Sequence, residues 1–542
     1  MRIYKTGNFW IDSGIVALNN ILNSLDIENV EYELTSTYLE IDVSDDEIEN
    51  LLNIAKREAE KNYLKKTEGG GWYFSDGEFH TYQKTDFKMH LKSFFTGKTP
   101  QTEGGLVALN NLSLIKGKDR AMTEDEFKSF IIFKEQNKDF KYGTKKIKIE
   151  DRGFINTPPV YNIGTEFQLD FIKKGNKLCN FSGEIFAKTN TVTGMNYPFM
   201  TGSSGELNFS SHLKKKLNIA SLYDFISTFS FYNLYYLMQD NLKHYFVLYD
   251  SDLMKLSEFL YTIQQDASQL NKNDYNNFKT EMIGTIYENE SLFNFLVSIY
   301  QQVKQKLEID KLFENLVTKS VFTLSNDGNI FRDVKEYSSL DALFSLFDSF
   351  SELEEDENSY FNHFLNMIRY FTKRLESGKY DTSFRNKLCD EILSFKSPYK
   401  TIEHFLSEVK LKEKEKNGIL YLDKIITVIN NKIQNNMNTK TEMVEMCKSL
   451  GQQIGKYCQE ANNGSGDKGI LFSIRNAKNR TEFLNVLAVI QFRIDKQYYN
   501  IENFLKEILE SKDWEEYKSL VSIFAMNRFL WEKKDTKTVV EN

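Results

Sequence analysis

Six histidines and four cysteines are the side chains of this 542-residue chain best suited to metal or nucleophilic chemistry, and their spacing supports neither. His80, His90, His212, His244, His363 and His404 stand in no HExxH, HD or CxxCH setting, so no metal-hydrolase signature is present. Cys179, Cys389, Cys447 and Cys458 form no CxxC pair. Two thiolates three residues apart can bite one tetrahedral ion, but the partner position to Cys179 is Ser182, a poor neutral ligand. Cys179 therefore reads as a buried lone cysteine, with no metal and no cofactor expected. No GxxxxGK[ST] loop and no strand-flanked GxGxxG occurs, so nucleotide-driven chemistry is not indicated. With no nucleophile–base constellation either, the chain is not expected to be an enzyme.

Cations offer a different chemistry, since Lys and Arg release condensed counterions when they meet a nucleic-acid backbone. Lys116, Lys118 and Arg120 form a short basic turn. Residues 133–152, which include Lys145 and Lys146, hold seven cations against four acids. From Lys410 to Lys496 fifteen cations face nine acids, and Lys468, Arg475, Lys478, Arg480 and Arg493 follow a glycine-rich loop. A solvated face is the plain reading of each cluster, and phosphate contact the sharper one. Residues Thr228 to Tyr249 are densely aromatic and read as a buried helix followed by a core strand rather than a base-stacking platform.

The elements that would position these groups divide the chain in texture. The composition is 41% hydrophobic and 27% charged, enough for a packed core and too apolar for wholesale disorder. Residues 1–215 read as a mixed α/β N-terminal domain. Val30 to Val43 is strand-like, and Ser44 with Glu47 makes a capping box before the helical spacing of Ile48, Leu51, Leu52 and Ala55. Thr123 and Glu126 open a helix in the same way, and strands are expected at 145–150 and 165–172. Residues 216–399 read as a helix-rich middle region and 400–542 as a C-terminal helical bundle, giving an α+β class. Thr481 is the expected cap of a helix carrying Phe483, Leu484, Leu487, Ile490 and Ile494. Ile501, Phe504, Leu505, Ile508 and Leu509 form an amphipathic stripe, and Pro398 breaks two helices. No apolar window is long enough for a membrane span and the N-terminus lacks a signal-peptide run, so a cytoplasmic protein is expected. The net charge of −8 weighs against a free-standing nucleic-acid binder but not against a subunit with a local basic face.

Three stretches carry a resemblance. Thr6-Gly7-Asn8 with Asp12-Ser13-Gly14 resembles the "TGN … D-[AS]-G" start of the large subunit of type I-B CRISPR interference complexes (Cascade). Cys179-Asn180-Phe181-Ser182-Gly183, followed by Pro198-Phe199-Met200-Thr201-Gly202 and Asn208-Phe209, is similar to that family's central CxxCG and "PF-x-TG…NF" region. Gly451 to Arg493 looks like the helical tail that is similar to the small Cascade subunit. The departure is the missing second thiol and second pair, so a degenerate, metal-free zinc ribbon is implied around 179–209, with Phe181 and Phe209 packing in place of the ion.

The resemblance implies a non-enzymatic role. Guide RNA and target double-stranded DNA would be partners, together with the backbone and guide-end-capping subunits, a small subunit and a helicase-nuclease. The large subunit would read a short adjacent motif on the duplex and promote R-loop formation in antiviral defence. Loops at Lys116 to Arg120, Gly69 to Trp72 and Gly202 to Asn208 are the expected readers of that motif, and the C-terminal cations would hold the backbone of displaced strand and hybrid. The alternative of another class is a helical adaptor in a protein-only assembly, its aromatics forming partner interfaces.

Overall fold

The Ser44 capping box forms as its spacing dictates: the Glu47 carboxylate accepts from the Ser44 hydroxyl at 2.6 Å, and a helix runs from Asp45 to Lys61. This is a computed structural model, and it describes residues 1–25, 30–61, 64–75, 78–87, 114–115, 119–121, 123–136, 154–156, 160–161, 167–192, 217–239, 242–264, 280–306, 318–326, 334–352, 359–412, 417–433, 441–461, 467–494 and 501–531. Helices and small antiparallel sheets together make an α+β protein. The chain divides into two compact units, Met1–Lys279 with Thr318–Ser338, and Thr280–Val317 with Ser339–Asn542.

The first unit begins with β1 (Arg2–Tyr4), α1 (Phe9–Leu25), β2 (Glu31–Leu34), β3 (Tyr38–Asp42) and α2 (Asp45–Lys61). The strand expected over 30–43 is therefore a hairpin, with Thr35 capping its turn through hydrogen bonds from Tyr38 N and Thr37 N. β4 (Leu64–Ser75) and β5 (Glu78–Phe87) form a second hairpin, with a register shift between Lys66 and Gly70. Gly69 to Trp72 thus lies in a strand, not in the expected loop. A helix follows Thr123 as expected, α3 (Glu124–Gln136). The strand expected at 165–172 is instead a 3-10 turn, Leu169–Ile172, and 145–150 lies outside the described residues. β6 (Lys177–Leu178) and β7 (Ile185–Phe186) make a short hairpin, and α4 (Ser221–Ser227) leads into the aromatic run.

That run is not a helix and a strand. After a 3-10 turn at Phe229–Asn233 it forms a hairpin of β8 (Leu234–Gln239) and β9 (Leu242–Asp250). Consecutive residues Leu234–Leu237 and His244–Leu248 are buried, so both faces of these aromatic-rich strands are covered and the run is apolar without alternation. β10 (Lys319–Asn326) and β11 (Lys335–Tyr337) complete an antiparallel sheet in the order β8-β9-β10-β11. Between β9 and β10 lies α5 (Leu253–Gln264), and then the chain enters the second unit before returning at 318. The segment 216–399, expected as one helix-rich region, is split between the units, because residues 319–326 pair with β9 across a long excursion. The buried Asp250 marks that junction: its carboxylate accepts from Lys319 Nζ at 3.0 Å, Thr318 Oγ1 at 2.7 Å and Asp252 N at 2.8 Å. Burial lowers the Lys319 pKa from its ordinary value.

The second unit is helical: α6 (Glu288–Lys306), α7 (Leu340–Glu352), α8 (Tyr360–Arg369), α9 (Ser383–Leu393), α10 (Tyr399–Glu408), α11 (Leu422–Ile433), α12 (Thr441–Glu460), α13 (Lys468–Asn476), α14 (Arg480–Ile494), α15 (Ile501–Glu510) and α16 (Trp514–Leu530). Pro398 separates α9 from α10 as expected. α12 and α16 approach to backbone contact, because Gly451 and Gly455 face Val521 and Ala525 of α16; a Cβ at 451 would lie 2.7 Å from the Val521 carbonyl oxygen. The fully buried Arg385 ties the start of this unit to α9. It donates to Glu290 Oε1 at 2.5 Å, to the carbonyls of Ile283 at 2.7 Å and Thr285 at 3.2 Å, and to that of Arg369 at 3.1 Å. Four of the five N–H groups of this buried charge thus have acceptors, one of them a carboxylate.

Candidate nucleic-acid interface

The N-terminal motif acts in packing. Asn8 caps α1, accepting from Trp10 N at 3.1 Å and Ile11 N at 3.2 Å. Asp12, fully buried, accepts from Thr6 N at 2.7 Å, Thr6 Oγ1 at 3.1 Å and Gly7 N at 3.0 Å, and so fixes the turn before the helix. Burial pushes the Asp12 pKa up, against the pull of these donors. Gly14 lies against the Ile226 carbonyl, Ser230 Oγ donates to Trp10 O at 2.5 Å, and Asn233 donates to Ser13 O at 3.0 Å. Asp12 and Asn8 thus fix the start of α1, and the Trp10 and Ser13 carbonyls and Gly14 hold the helix against α4 and the 3-10 turn.

The hairpin of β6 and β7 presents a different surface. Cys179 N donates to Glu184 O at 2.9 Å and Gly183 N to Cys179 O at 3.0 Å, closing a tight knuckle. Gly183 takes φ +72°, which a residue without Cβ adopts freely, and open space surrounds it. Asn180 clamps the knuckle to the strand at 218–220, its side chain accepting from Asn218 N at 2.6 Å. Cys179 is buried and Ser182 accepts from Glu184 N at 3.4 Å. Among the described residues no group of three or more His, Cys, Asp and Glu could hold a metal. Phe181 is half-buried here, and Phe209 lies outside the described residues.

On the knuckle's outer side Leu178 and Ile185 are direct cross-strand partners, 52% and 53% exposed. Lys173, Lys174 and Lys177 are exposed beside them, with no acidic partner among the described residues. Lys188 instead pairs with Asp170 at 2.6 Å. An exposed apolar pair with exposed lysines on the same short segment can press on sugar and base surface while neutralising phosphates. The reading of the sequence missed this site, although Lys173, Lys174, Lys177 and Lys188 against the single acid Glu184 give a local net charge of +3.

Six of the ten expected cations lie among the described residues. Lys116, Lys118, Lys145 and Lys146 lie outside the described residues, as does the loop Gly202 to Asn208. Arg120 lies on a short strand opposite Ile155. The five C-terminal cations are described, and three of them serve the protein itself. Lys468 donates to the Leu411 carbonyl. Arg475 pairs with Glu408 at 2.8 Å. Arg480 caps the end of α15, donating to Leu509 O at 2.7 Å and to Ser511 O. These are helix-terminal carbonyls that lack intrahelical partners, and a guanidinium satisfies two of them at once.

Lys478 and Arg493 remain exposed, at opposite ends of α14 and roughly 22 Å apart along it. Its cap is Asn479, which accepts from Glu482 N at 2.9 Å, not Thr481. Phe483, Leu487 and Ile490 are buried as their spacing requires. The outer face carries Val489 at 52% exposure and Phe492 at 90%, next to Arg493. A bare ring beside a guanidinium is the pairing on which unpaired bases stack.

No helix among the described residues is long and apolar enough to cross a membrane. Comparison with protein-family models and with curated proteins finds no match to this chain.

Proposed function

We propose that the chain is the non-catalytic large subunit of a type I-B CRISPR interference complex. In this reading guide RNA pairs with target DNA and supplies most of the sequence recognition. The chain reads a short adjacent motif on the duplex, promotes R-loop formation and supports recruitment of a helicase-nuclease, in company with backbone, guide-end-capping and small subunits. Its own work is electrostatic and steric: ammonium groups displace counterions, and exposed apolar side chains press on the duplex or stack on unpaired bases. One observation carries the reading. The knuckle at 179–183 has a closed turn with a left-handed glycine, as a CxxCG element would, although Ser182 stands for the second thiol, and exposed lysines at 173, 174 and 177 lead into it. Such a hairpin is what a metal-free descendant of a zinc ribbon retains.

Co-expression of the chain with the products of its neighbouring genes and a guide RNA tests this. The expected result is a ribonucleoprotein that contains the chain and binds target duplex, with weaker binding when Lys173, Lys174 and Lys177 become glutamate. An assembly that carries protein alone at every ionic strength overturns the reading and favours the helical adaptor.

A further inference from the structure

A cavity of about 210 Å³ opens in the helical unit, where the segment before α11 crosses α12 and the end of α16. An engineered cavity of about 150 Å³ accepts benzene, so this one has room for a bicyclic ring. Its walls are built with care. The Asn527 side chain clamps the backbone of residue 419 from both sides, accepting from Ile419 N at 2.7 Å and donating to Ile419 O at 3.1 Å. Tyr421 is held at φ +52°, a left-handed conformation that is strained for a residue with a Cβ. Its ring is wedged edge-on against Tyr360 at 5.2 Å and tilted against His363 at 4.5 Å. Strain of this kind persists where the surroundings over-determine it, and it gathers at ligand clamps. Trp531 is a second aromatic lining residue and packs against Gly418, where a Cβ would lie 2.7 Å from its Nε1.

The polar groups of the cavity are of complementary kinds. The Arg528 guanidinium and the Trp531 indole N–H are without hydrogen-bond partners among the described residues. Asp423 is an acceptor whose charge is offset by Lys448 at 3.0 Å. A forked cation suits a phosphate, two aromatic walls suit a planar ring, and a carboxylate accepts from an exocyclic amino group. We propose that this cavity binds one purine mononucleotide, its phosphate on Arg528 and its base between Tyr421 and Trp531. The base's amino group then points to Asp423. This site uses none of the residues of the knuckle or of α14, and it does not rest on the DNA-targeting reading.

Titration calorimetry of the full chain with AMP, adenosine and ribose 5-phosphate tests it. AMP binds at one equivalent, and removing either the base or the phosphate weakens binding about tenfold or more. Arg528→Gln weakens AMP roughly 10- to 100-fold, the loss expected for a charge-assisted hydrogen bond, and leaves adenosine binding and the melting temperature unchanged. Gly418→Ala, which brings a methyl against Trp531, weakens AMP and adenosine alike. A tetradeoxyadenylate and the same strand with one abasic position separate the sources of the nucleotide. A strand that binds tenfold tighter than AMP and loses that advantage when abasic means the base comes from a polymer. Equal or tighter binding of AMP means a free mononucleotide. No saturable binding of AMP or strand, or an affinity indifferent to Arg528→Gln, overturns the proposal.

Discussion

Replacing Gly14 by alanine pits a local preference against a tertiary contact. In an isolated helix alanine is favoured over glycine by about 1 kcal/mol. Within α1, however, the new Cβ would sit 2.5 Å from the Ile226 carbonyl oxygen and 2.7 Å from Ser230 Oγ. Neither neighbour yields cheaply, because Ile226 O is backbone and Ser230 Oγ is committed to Trp10 O at 2.5 Å. Overpacking of this kind costs about 1–3 kcal/mol, and disturbing the Ser230 hydrogen bond adds about 1 kcal/mol. Set against the propensity gain, the net loss is about 2 kcal/mol, which is roughly a 30-fold rise in local opening. Hydrogen exchange read by mass spectrometry on peptides from 9–25 measures that opening directly. Exchange across α1 should quicken by roughly that factor while peptides from α12 and α16 stay unchanged. If the α1 amides exchange at the original rate or more slowly, helix propensity has won, and the close approach inferred for Gly14 is wrong.

Three further outcomes follow from particular contacts. Lys478→Glu with Arg493→Glu should leave the melting temperature unchanged and lower the salt slope of DNA binding by the assembled complex by about 1.5–2, since two phosphate contacts are lost; an unchanged slope refutes their role. All four thiols are buried, and burial holds the Cys458 thiol up at about 12, so an aromatic disulfide at pH 8 should label none in the native chain and four in urea; one fast-reacting thiol contradicts this packing. Hydrogen bonds from Lys412 and Arg475 hold the Glu408 carboxyl below its ordinary 4.5. Its stabilisation is therefore present above that pH and is lost as pH falls through the lower native value. Because the site is partly exposed, Glu408→Gln should cost about 0.5–1 kcal/mol at pH 7 and nothing in strong acid, and a cost that persists in acid refutes the ion-pair origin.

Legibility followed range. The Ser44 capping box, the Pro398 break, the buried spacing of Phe483, Leu487 and Ile490 and, in α15, that of Ile501, Phe504 and Ile508 are legible, because caps and amphipathic faces are settled by residues within about one turn, whereas Leu509, expected in the α15 stripe, is 57% exposed. The aromatic run at 228–249 resists reading because a continuous apolar stretch cannot be told from a buried helix by periodicity until a pairing partner is known. The cations divided in the same way. Arg475 and Arg480 look as free as Lys478 in the sequence, yet Glu408 and the carbonyls of 509 and 511 claim them. The exposed lysines at 173, 174 and 177 carry a local charge signal, but one too short to mark a binding face by itself.

The sequence by itself determined that this chain is an α+β protein with helices dominating its second half, that its four cysteines form no CxxC pair, and where several helices begin and end. These properties depend on composition and on neighbours a few residues apart. Tertiary structure alone decided that residues 319–337 return to the sheet of the first unit, that the Thr6–Gly14 motif is spent on packing, and that Gly418, Tyr421, Arg528 and Trp531 surround one cavity. Each of those outcomes joins groups many residues apart, and the contact that fixes it gains free energy only after the intervening chain has folded.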